Sequence, residues 1–238
     1  MTRVVISQPM YFPWVGFLAQ LALADVLIWL DDAQFSKGSF TNRVQVPKGP
    51  DGTGWLSIPL AGKGSGRQIA DLAPDRPDWA DSHRATLRNA YGRSAGWNEI
   101  DACFAEVAAT FPLPRAIAAS AEALARAVGL DLPAAMWSSD MNVPGAGSAR
   151  VLALVQAVGG TRYITGHGAR NYLDHAAFEA AGAAVDYMDY APRPWPQTMA
   201  SFTPYVTGLD LVAHVPASDR RSHLNPRTTP WREVVEQE

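Results

Sequence analysis

The chain has 238 residues, enough for one large domain or for one domain with a small appendage. Hydrophobic residues make up 47% and charged residues 18%, and a net charge of −3 without a basic stretch longer than two residues excludes a surface for duplex nucleic acid. The single cysteine, Cys103, excludes an internal disulfide and a multi-cysteine metal site. The opening residues lack a signal-peptide pattern, and no apolar run reaches the roughly 18 residues that span a bilayer. We therefore expect a soluble, cytoplasmic protein without a membrane partner.

The opening of the chain predicts a strand, a helix and a second strand. They cover residues 3–6, 14–24 and 25–30. The first run, RVVI, is typical of a strand buried on both faces, and the short strand–helix–strand unit indicates a parallel pair joined by a right-handed crossover. Gln8 follows the first strand, and Asp31 and Asp32 follow the second. Because the carboxyl ends of parallel strands line the ligand crevice, we expect these polar side chains to share one edge of the sheet.

The middle of the chain predicts a β-hairpin followed by helices. Residues 43–60 form two short alternating runs around a Pro/Gly/Asp turn, and the glycine-rich residues 61–68 indicate a flexible loop. Residues 77–130 have helical periodicity, with Gly92 and Gly129 as stop signals. This stretch is predicted to be a helical insertion or subdomain.

The second half predicts a return to alternating helices and strands. We predict helices over residues 148–160 and 174–182, and strands over residues 161–166 and 184–190. Residues 215–238 are predicted to be a loosely docked tail. Residues 1–238 are therefore expected to form a single α/β domain: a parallel, or mostly parallel, sheet with flanking helices, a β-hairpin and a helical insertion.

One long motif runs through residues 8–43. It consists of a Gln-Pro pair, an aromatic-Pro-aromatic triplet, a glycine, an Asp-Asp pair, a glutamine, a lysine and an Asn-Arg pair. These are Gln8–Pro9, Phe12–Trp14, Gly16, Asp31–Asp32, Gln34, Lys37 and Asn42–Arg43. The motif resembles the opening signature of the WbqC-like family, which is found in bacterial surface-polysaccharide and secondary-metabolite clusters.

Shorter matches to that family continue in order along the chain. They are WLSIPL at 55–60, Trp79, Tyr91, YITGHGARNYLD at 163–174, Pro196–Gln197 and FTPYVTGLDL at 202–211. The chain departs from the pattern at Ser7, where the family often has His or Met, and at residues 206–210, where it often has Leu-Ser-Ile-Ile-Asp; the text after Val212 also diverges. The resemblance implies a sugar-modifying role, since some members belong to clusters for 4-amino-4,6-dideoxysugars that carry a glycyl amide.

Asp31 and Asp32 are candidate catalytic residues. Adjacent residues of a strand point to opposite faces, so we expect one of the two carboxylates to enter the crevice. There it would orient or deprotonate an attacking amine. The alternatives are a simple turn at the end of the strand, or a salt bridge with Arg43.

His167 is the third candidate catalytic residue. It lies between Gly166 and Gly168, in a turn that follows a predicted strand and precedes a helix, and Tyr172 lies at the end of that turn. The glycines allow close backbone approach, and the start of the helix offers N–H groups to an anion. A structural histidine is the alternative to acid–base chemistry. We predict no metal site, because no partners at ligand spacing accompany His83, His175 and His214.

The remaining candidates are expected to bind the substrate. Gln8 offers a donor and an acceptor for a sugar hydroxyl or a base edge, unless it caps the first turn. Arg43 suits a carboxylate or a phosphate. Tyr11 or Trp14, near the first helix, would stack on a sugar, and the alternative is that these rings belong to the core. Lys37 is alternatively a solvated loop charge. The set is completed by Tyr11, Trp14, Gln34, Lys37 and Asn42, and by Gly166, Gly168 and Tyr172 of the turn around His167.

Our first functional hypothesis is a glycyl-type acyl or aminoacyl transferase that forms an amide on an amino sugar or a small biosynthetic amine. The acceptor would be an amino sugar, a nucleotide-sugar or an amine; the acyl donor is unidentified and the cofactor is unknown. One alternative is a nucleotide-dependent ligase or nucleotidyltransferase, which the strand–turn–helix opening favours but the missing phosphate-binding lysine motif disfavours. The other is a non-catalytic small-ligand binding protein. A homodimer is left open.

Overall fold

The computed structural model describes residues 1–50, 52–64 and 66–236. The strands are β1 (Arg3–Ser7), β2 (Val26–Trp29), β3 (Arg43–Pro47), β4 (Thr53–Ser57), β5 (Met136–Trp137), β6 (Arg162–Thr165), β7 (Ala184–Tyr190) and β8 (Pro226–Pro230). The helices are α1 (Val15–Leu21), α2 (Trp79–Tyr91), α3 (Trp97–Ala108), α4 (Leu113–Ala127), α5 (Gly147–Ala157), α6 (His175–Ala180), α7 (Leu209–His214), α8 (Ala217–Arg220) and α9 (Trp231–Glu236).

Six of the strands form one sheet in the order β5–β2–β1–β6–β7–β8, and β3 and β4 form a separate antiparallel hairpin. The neighbouring strands of the sheet are parallel, apart from the antiparallel pair β7 and β8. The predicted fold class, a mostly parallel sheet with flanking helices and a hairpin, is confirmed. At the centre of the sheet, Val4 and Val5 of β1 are fully buried in the cores on its two faces, which explains why that strand is apolar throughout.

The winding of the sheet reverses at β1. From β1 the chain crosses through α1 to β2, and it later returns from β5 through α5 to β6, on the other side of β1. The two crossing helices cover opposite faces, because Leu18 of α1 belongs to the core that contains Val5, whereas Leu154 of α5 belongs to the core that contains Val4. In doubly wound sheets, ligand crevices open beyond the carboxyl ends of the strands at such a reversal, here between β1 and β6.

Helices α2, α3 and α4 form a layer that shares one core with α1 and the hairpin. Phe12, which follows β1, connects this layer to the sheet. Its N–H donates to Ser120 Oγ on α4 at 2.8 Å, and its carbonyl accepts from Thr207 Oγ1 at 2.7 Å. The φ angle of Phe12 is 39°, in the left-handed region. A residue with a Cβ is strained there by about 1–3 kcal/mol, so these contacts hold the segment in place.

Residues 215–236 of the predicted loosely docked tail contribute a strand and helices to the described structure, and residues 237 and 238 lie outside the described residues. Strand β8 is the sixth strand of the sheet and pairs with β7, with Thr228 opposite Met188. The ring of Trp231, at the start of α9, stacks on His175 with 4.6 Å between ring centroids. Two prolines bound β8, and they are tolerated because an edge strand can leave N–H positions unpaired.

Two further properties bear on function. Within the described residues, no helix has the length and apolar character needed to cross a bilayer, and no three His, Cys, Asp or Glu side chains are grouped to hold a metal ion. Burial raises the pKa of the Cys103 thiol to about 11. Because the thiolate is the reactive form, this cysteine is a poor nucleophile near neutral pH.

Candidate functional site

Polar residues meet at the carboxyl edge of the sheet, as the sequence predicts. Strands β1 and β2 run parallel with Ser7 opposite Trp29, so Gln8 and Asp31 extend beyond the same edge. Strand β6 is parallel to β1 on its other side and brings Gly166 to this edge. The edge therefore coincides with the reversal of the sheet, where the architecture predicts a ligand crevice.

Asp31 is enclosed in a hydrogen-bond network at this edge, and only 3% of the residue is exposed. Ser139 donates to both carboxylate oxygens, from its N–H at 3.1 Å and from its hydroxyl at 2.8 Å. The Asp31 N–H donates to Ser138 Oγ at 3.2 Å. These contacts connect β2 to the segment after β5 and favour a positioning role for Asp31. Its predicted catalytic role stays a prediction.

Asp32 forms an ion pair with Arg150 on the first turn of α5. Its carboxylate accepts from Ser138 Oγ at 2.6 Å and from Arg150 Nη1 at 2.9 Å, with a further contact from Arg150 Nη2. Burial raises the pKa of the Asp32 carboxyl, but the hydrogen bonds from Arg150 and Ser138 outweigh burial, so this pKa lies below its usual value. The salt bridge to this aspartate therefore comes from Arg150 and not from Arg43.

The turn after β6 places His167 at the surface. This exposed imidazole lies over the ring of Tyr187, with 5.6 Å between centroids and 21° between ring planes. The expected anion site at the start of α6 is partly filled by the chain itself, because Asp174 Oδ1 accepts the N–H of Ala177 at 3.0 Å. The turn therefore offers an exposed imidazole, with a reduced capacity for an anion.

The three aromatic candidates differ in exposure. Tyr11 is fully buried, and its hydroxyl forms a hydrogen bond with His83 Nδ1 at 2.9 Å, which favours the core alternative. Trp14 is half-buried and packs edge-on against Tyr190, with 5.7 Å between centroids. Tyr172 is 51% exposed. Trp14 and Tyr172 thus remain accessible to a ligand.

Four polar candidates follow β2 or begin the hairpin, namely Gln34, Lys37, Asn42 and Arg43. The first two are exposed. Asn42 Nδ2 donates to the carbonyl of Ile58 at 2.8 Å and so braces the hairpin. Arg43 donates to the carbonyl of Gly38, and its guanidinium carbon lies 4.0 Å from the centre of the Trp55 ring. The structure therefore places Arg43 on the hairpin and away from the Asp32 ion pair.

A second cluster of buried polar side chains surrounds Asp210 on α7. Asp210 is fully buried, and its Oδ2 accepts from Trp195 Nε1 at 2.8 Å and from Gln197 Nε2 at 2.9 Å. Its Oδ1 lies 3.8 Å from Nε2 of His214, four residues further along the helix. This spacing places the carboxylate and the imidazole on the same face of α7.

The centre of this cluster contains unsatisfied polar atoms. Within the described residues, Asp210 Oδ1, His214 Nε2 and the Tyr91 hydroxyl are buried and form no hydrogen bond of regular geometry. Burial raises the pKa of the Asp210 carboxyl, although Trp195, His214, Gln197 and the Tyr91 hydroxyl oppose the shift. Unsatisfied buried polar groups are uncommon in proteins, and a bound water or ion, stored strain or a functional role explains them.

His214 lies between two cavities, and 17% of its side chain is exposed. One cavity of about 870 Å³ opens between the hairpin and α2, where Lys48, Trp55 and Arg93 also line it. The other, of about 570 Å³, lies beside α8 and is lined by Arg193. An imidazole oriented by a carboxylate can take a proton from a ligand on one side and pass it to a ligand on the other.

Sequence reasoning misses the Asp210–His214 pair, although a signal for it exists. Tyr91, Gln197 and Asp210 all belong to the short family-like matches, which are far apart in sequence and adjacent in space. His214 has no partner at metal-ligand spacing in the sequence, and that criterion does not detect a carboxylate that orients an imidazole. The signal is the spacing of Asp210 and His214, which are four residues apart and so share one face of a helix.

Fold and geometry together define a doubly wound α/β protein with a candidate small-molecule site. The chain belongs to the WbqC-like protein family, whose model matches residues 8–222. This confirms the resemblance seen in the sequence. The chain is also similar to the uncharacterized protein Rv1507c of Mycobacterium tuberculosis, at 30% identity over 225 residues that cover 91% of this chain and 95% of that protein. No solved structure matches the chain.

Proposed function

We propose that this protein transfers an acyl or aminoacyl group to the amine of a small acceptor, with His214 as the general base. The observation that supports the proposal is the position of His214, which lines both cavities while its Nε2 faces Asp210. Transfer between two small molecules requires donor and acceptor to meet beside one proton acceptor. Two cavities that share a histidine provide such a meeting point.

In this reaction the acceptor amine attacks the carbonyl carbon of the donor. The new C–N bond forms while the bond from that carbon to the leaving group breaks. His214 takes the proton that the amine loses and returns it to the leaving group. Asp210, held by Trp195 and Gln197, faces the imidazole and orients it. The acceptor is an amino sugar, free or linked to a nucleotide, or a small biosynthetic amine.

The carboxyl edge of the sheet is the rival centre. There Asp31 or Asp32 would remove the proton, helped by Gln8 and His167. The ion pair between Asp32 and Arg150 lowers the basicity of the Asp32 carboxylate, and the network around Asp31 leaves it little access to a ligand. These contacts favour His214 as the base.

Amide formation provides the test. The purified protein is incubated with a nucleotide-linked amino sugar and either a glycyl thioester or glycine with ATP and magnesium, and the product is followed by mass spectrometry. We expect product with the thioester. We also expect His214→Gln and Asp210→Asn to lower kcat by roughly 10²–10⁴-fold. His175→Gln, on the other face of the sheet, is the matched control and should keep the wild-type rate.

Other results would count against the proposal. Product formed only with ATP supports the ligase alternative. Full turnover by His214→Gln together with an inactive Asp32→Asn moves the centre to the sheet edge. If no product forms although the probes raise the melting temperature, the protein is a binding protein without this activity.

A further inference from the structure

We infer that the larger cavity binds the phosphate-bearing part of a small-molecule substrate. The assignment of this ligand as one of the reacting molecules rests on the proposed function; the binding site itself does not. The charge of the lining and the way in which one cation is fixed support the site.

The charge of this cavity differs from that of the whole chain. The protein has a net charge of −3, yet the described lining residues include the cations Lys48 and Arg93 and no carboxylate. Asn89 and Ser94 add polar groups that can donate hydrogen bonds to oxygen atoms. Cations without neighbouring carboxylates in a concave site create a positive potential that attracts an anion.

The side chain of Lys48 is positioned by Gly54 on the opposite strand. A Cβ added at residue 54 would lie 2.4 Å from Lys48 Cε and 2.6 Å from Lys48 Cδ. The aliphatic stem of Lys48 therefore crosses the hairpin directly over Gly54. Because the stem is packed in this way, the ammonium group is presented to the cavity from a defined direction.

Trp55 follows Gly54 in β4, so its side chain projects from the opposite face of the hairpin to the Lys48 stem. There the guanidinium of Arg43 lies 4.0 Å from the ring centre, and Phe40 packs nearby with 5.8 Å between centroids. The positive character of the cavity therefore depends on Lys48 and Arg93.

The size of the cavity is consistent with a ring and one or two phosphate groups, because small-molecule sites measure about 300–1,000 Å³. A sugar phosphate and a nucleoside diphosphate share this chemistry. In both, the anionic oxygens would contact Lys48 and Arg93.

Isothermal titration with defined probes tests the inference. The probes are inorganic pyrophosphate, glucose 1-phosphate, uridine diphosphate and uridine. We expect each phosphate probe to bind more tightly than uridine. Lys48→Gln and Arg93→Gln should each weaken ester binding about tenfold, the loss of one charge-assisted contact. Gly54→Ala should weaken it similarly by displacing Lys48, while Arg76→Gln, an exposed arginine of the surface, serves as the control.

The comparison between the two esters identifies the ring that the cavity prefers. Unchanged ester binding in all three cavity variants, or no binding of any phosphate probe, overturns the inference. Uridine that binds as tightly as uridine diphosphate also overturns it. Ester binding is measured without an acyl donor and involves no proton transfer by His214. A failure of the transfer mechanism is therefore distinguishable from a failure of this site.

Discussion

At the scale of single residues, one hydroxyl decides how two adjacent carboxylates are held. Ser138 Oγ lies 2.6 Å from Asp32 Oδ1 and 3.2 Å from Asp31 Oδ1, and it accepts the Asp31 N–H at 3.2 Å. A hydroxyl has one proton, so the shorter distance assigns that proton to Asp32. Asp31 is instead satisfied by Ser139.

Replacing this hydroxyl should therefore destabilise the fold. Ser138→Ala leaves the buried N–H of Asp31 without its acceptor and removes a donor from Asp32, so we expect the free energy of unfolding to fall by about 1–3 kcal/mol. Urea denaturation measures the change. Ser82→Ala, at an exposed position of α2, is the control and should be nearly neutral. Equal midpoints for the two variants would contradict the role given to Ser138.

His83 makes the stability of the protein depend on pH. It donates from Nε2 to the carbonyl of Ser57 at 3.1 Å and accepts at Nδ1 from Tyr11 at 2.9 Å, so the neutral ring uses both nitrogens. Burial lowers its pKa from 6.5 to about 4. Between these two values the unfolded chain binds a proton that the folded chain does not, so stability falls as the pH decreases through this window.

We expect the free energy of unfolding to fall by roughly 3 kcal/mol as the pH decreases from 6.5 to about 4. His83→Asn lacks the titrating group, and its free energy of unfolding should change less steeply with pH than that of the parent chain. Urea unfolding at several pH values between the two pKa values measures both slopes. Parallel slopes would show that another group causes the acid sensitivity.

At the scale of elements, the position of α7 depends on a close approach by α3. Gly96, the residue before α3, is so near to α7 that an added Cβ would lie 2.1 Å from the carbonyl oxygen of Val212. The Gly96 N–H also points to the carbonyl of Ala213 at 3.4 Å. Because the obstacle is backbone, no side-chain rotation can make room, and α7 itself would have to move.

Gly96→Ala should accordingly lower the free energy of unfolding by about 1–3 kcal/mol, the usual range for overpacking. Because His214 lies at the end of α7, the same change should also reduce turnover. Gly168→Ala is the control for stability, since nothing lies within 4 Å of a Cβ at that position. Thermal melts and kcat measurements on both variants test the expectation.

The elements that the sequence predicts correctly are the long or strongly patterned ones. Helices α2, α3 and α4 have full turns of apolar periodicity, and β1 and β2 are dense apolar runs. Strand β5 has two residues and β8 contains two prolines, so neither has a pattern that sequence reasoning can detect. The six-residue α7 depends on tertiary contacts for its stability, so its sequence does not predict a helix that brings His214 beside Asp210.

At the scale of the whole molecule, the sequence predicts the order and direction of the strands but not which polar side chains are buried. The parallel order of β1 and β2 follows from the chain pattern and correctly places Gln8 and Asp31 at one edge. The sequence does not show that Asp31 is enclosed, nor that residues around Asp210 come from the helical layer, the segment before α7 and α7 itself. Burial and pairing of this kind are set by long-range packing.

The arrangement of the two cavities predicts a kinetic pattern. If donor and acceptor occupy opposite sides of His214, both must be bound before transfer, and no covalent intermediate on the protein is required. Initial-rate measurements with both substrates varied should give intersecting double-reciprocal lines. Parallel lines, together with an acylated protein in the mass spectrum, would contradict direct transfer.

Phe12 has a consequence for communication across the protein. Its backbone bonds to α4 and to Thr207, two residues before α7, while Gln8 at the sheet edge precedes it by a single short stretch. A conformation that is unfavourable in isolation persists only while both partners stay docked. A shift of α7 on ligand binding would therefore also move Phe12. Through Phe12 it would move the stretch that contains Gln8, just beyond the carboxyl end of β1.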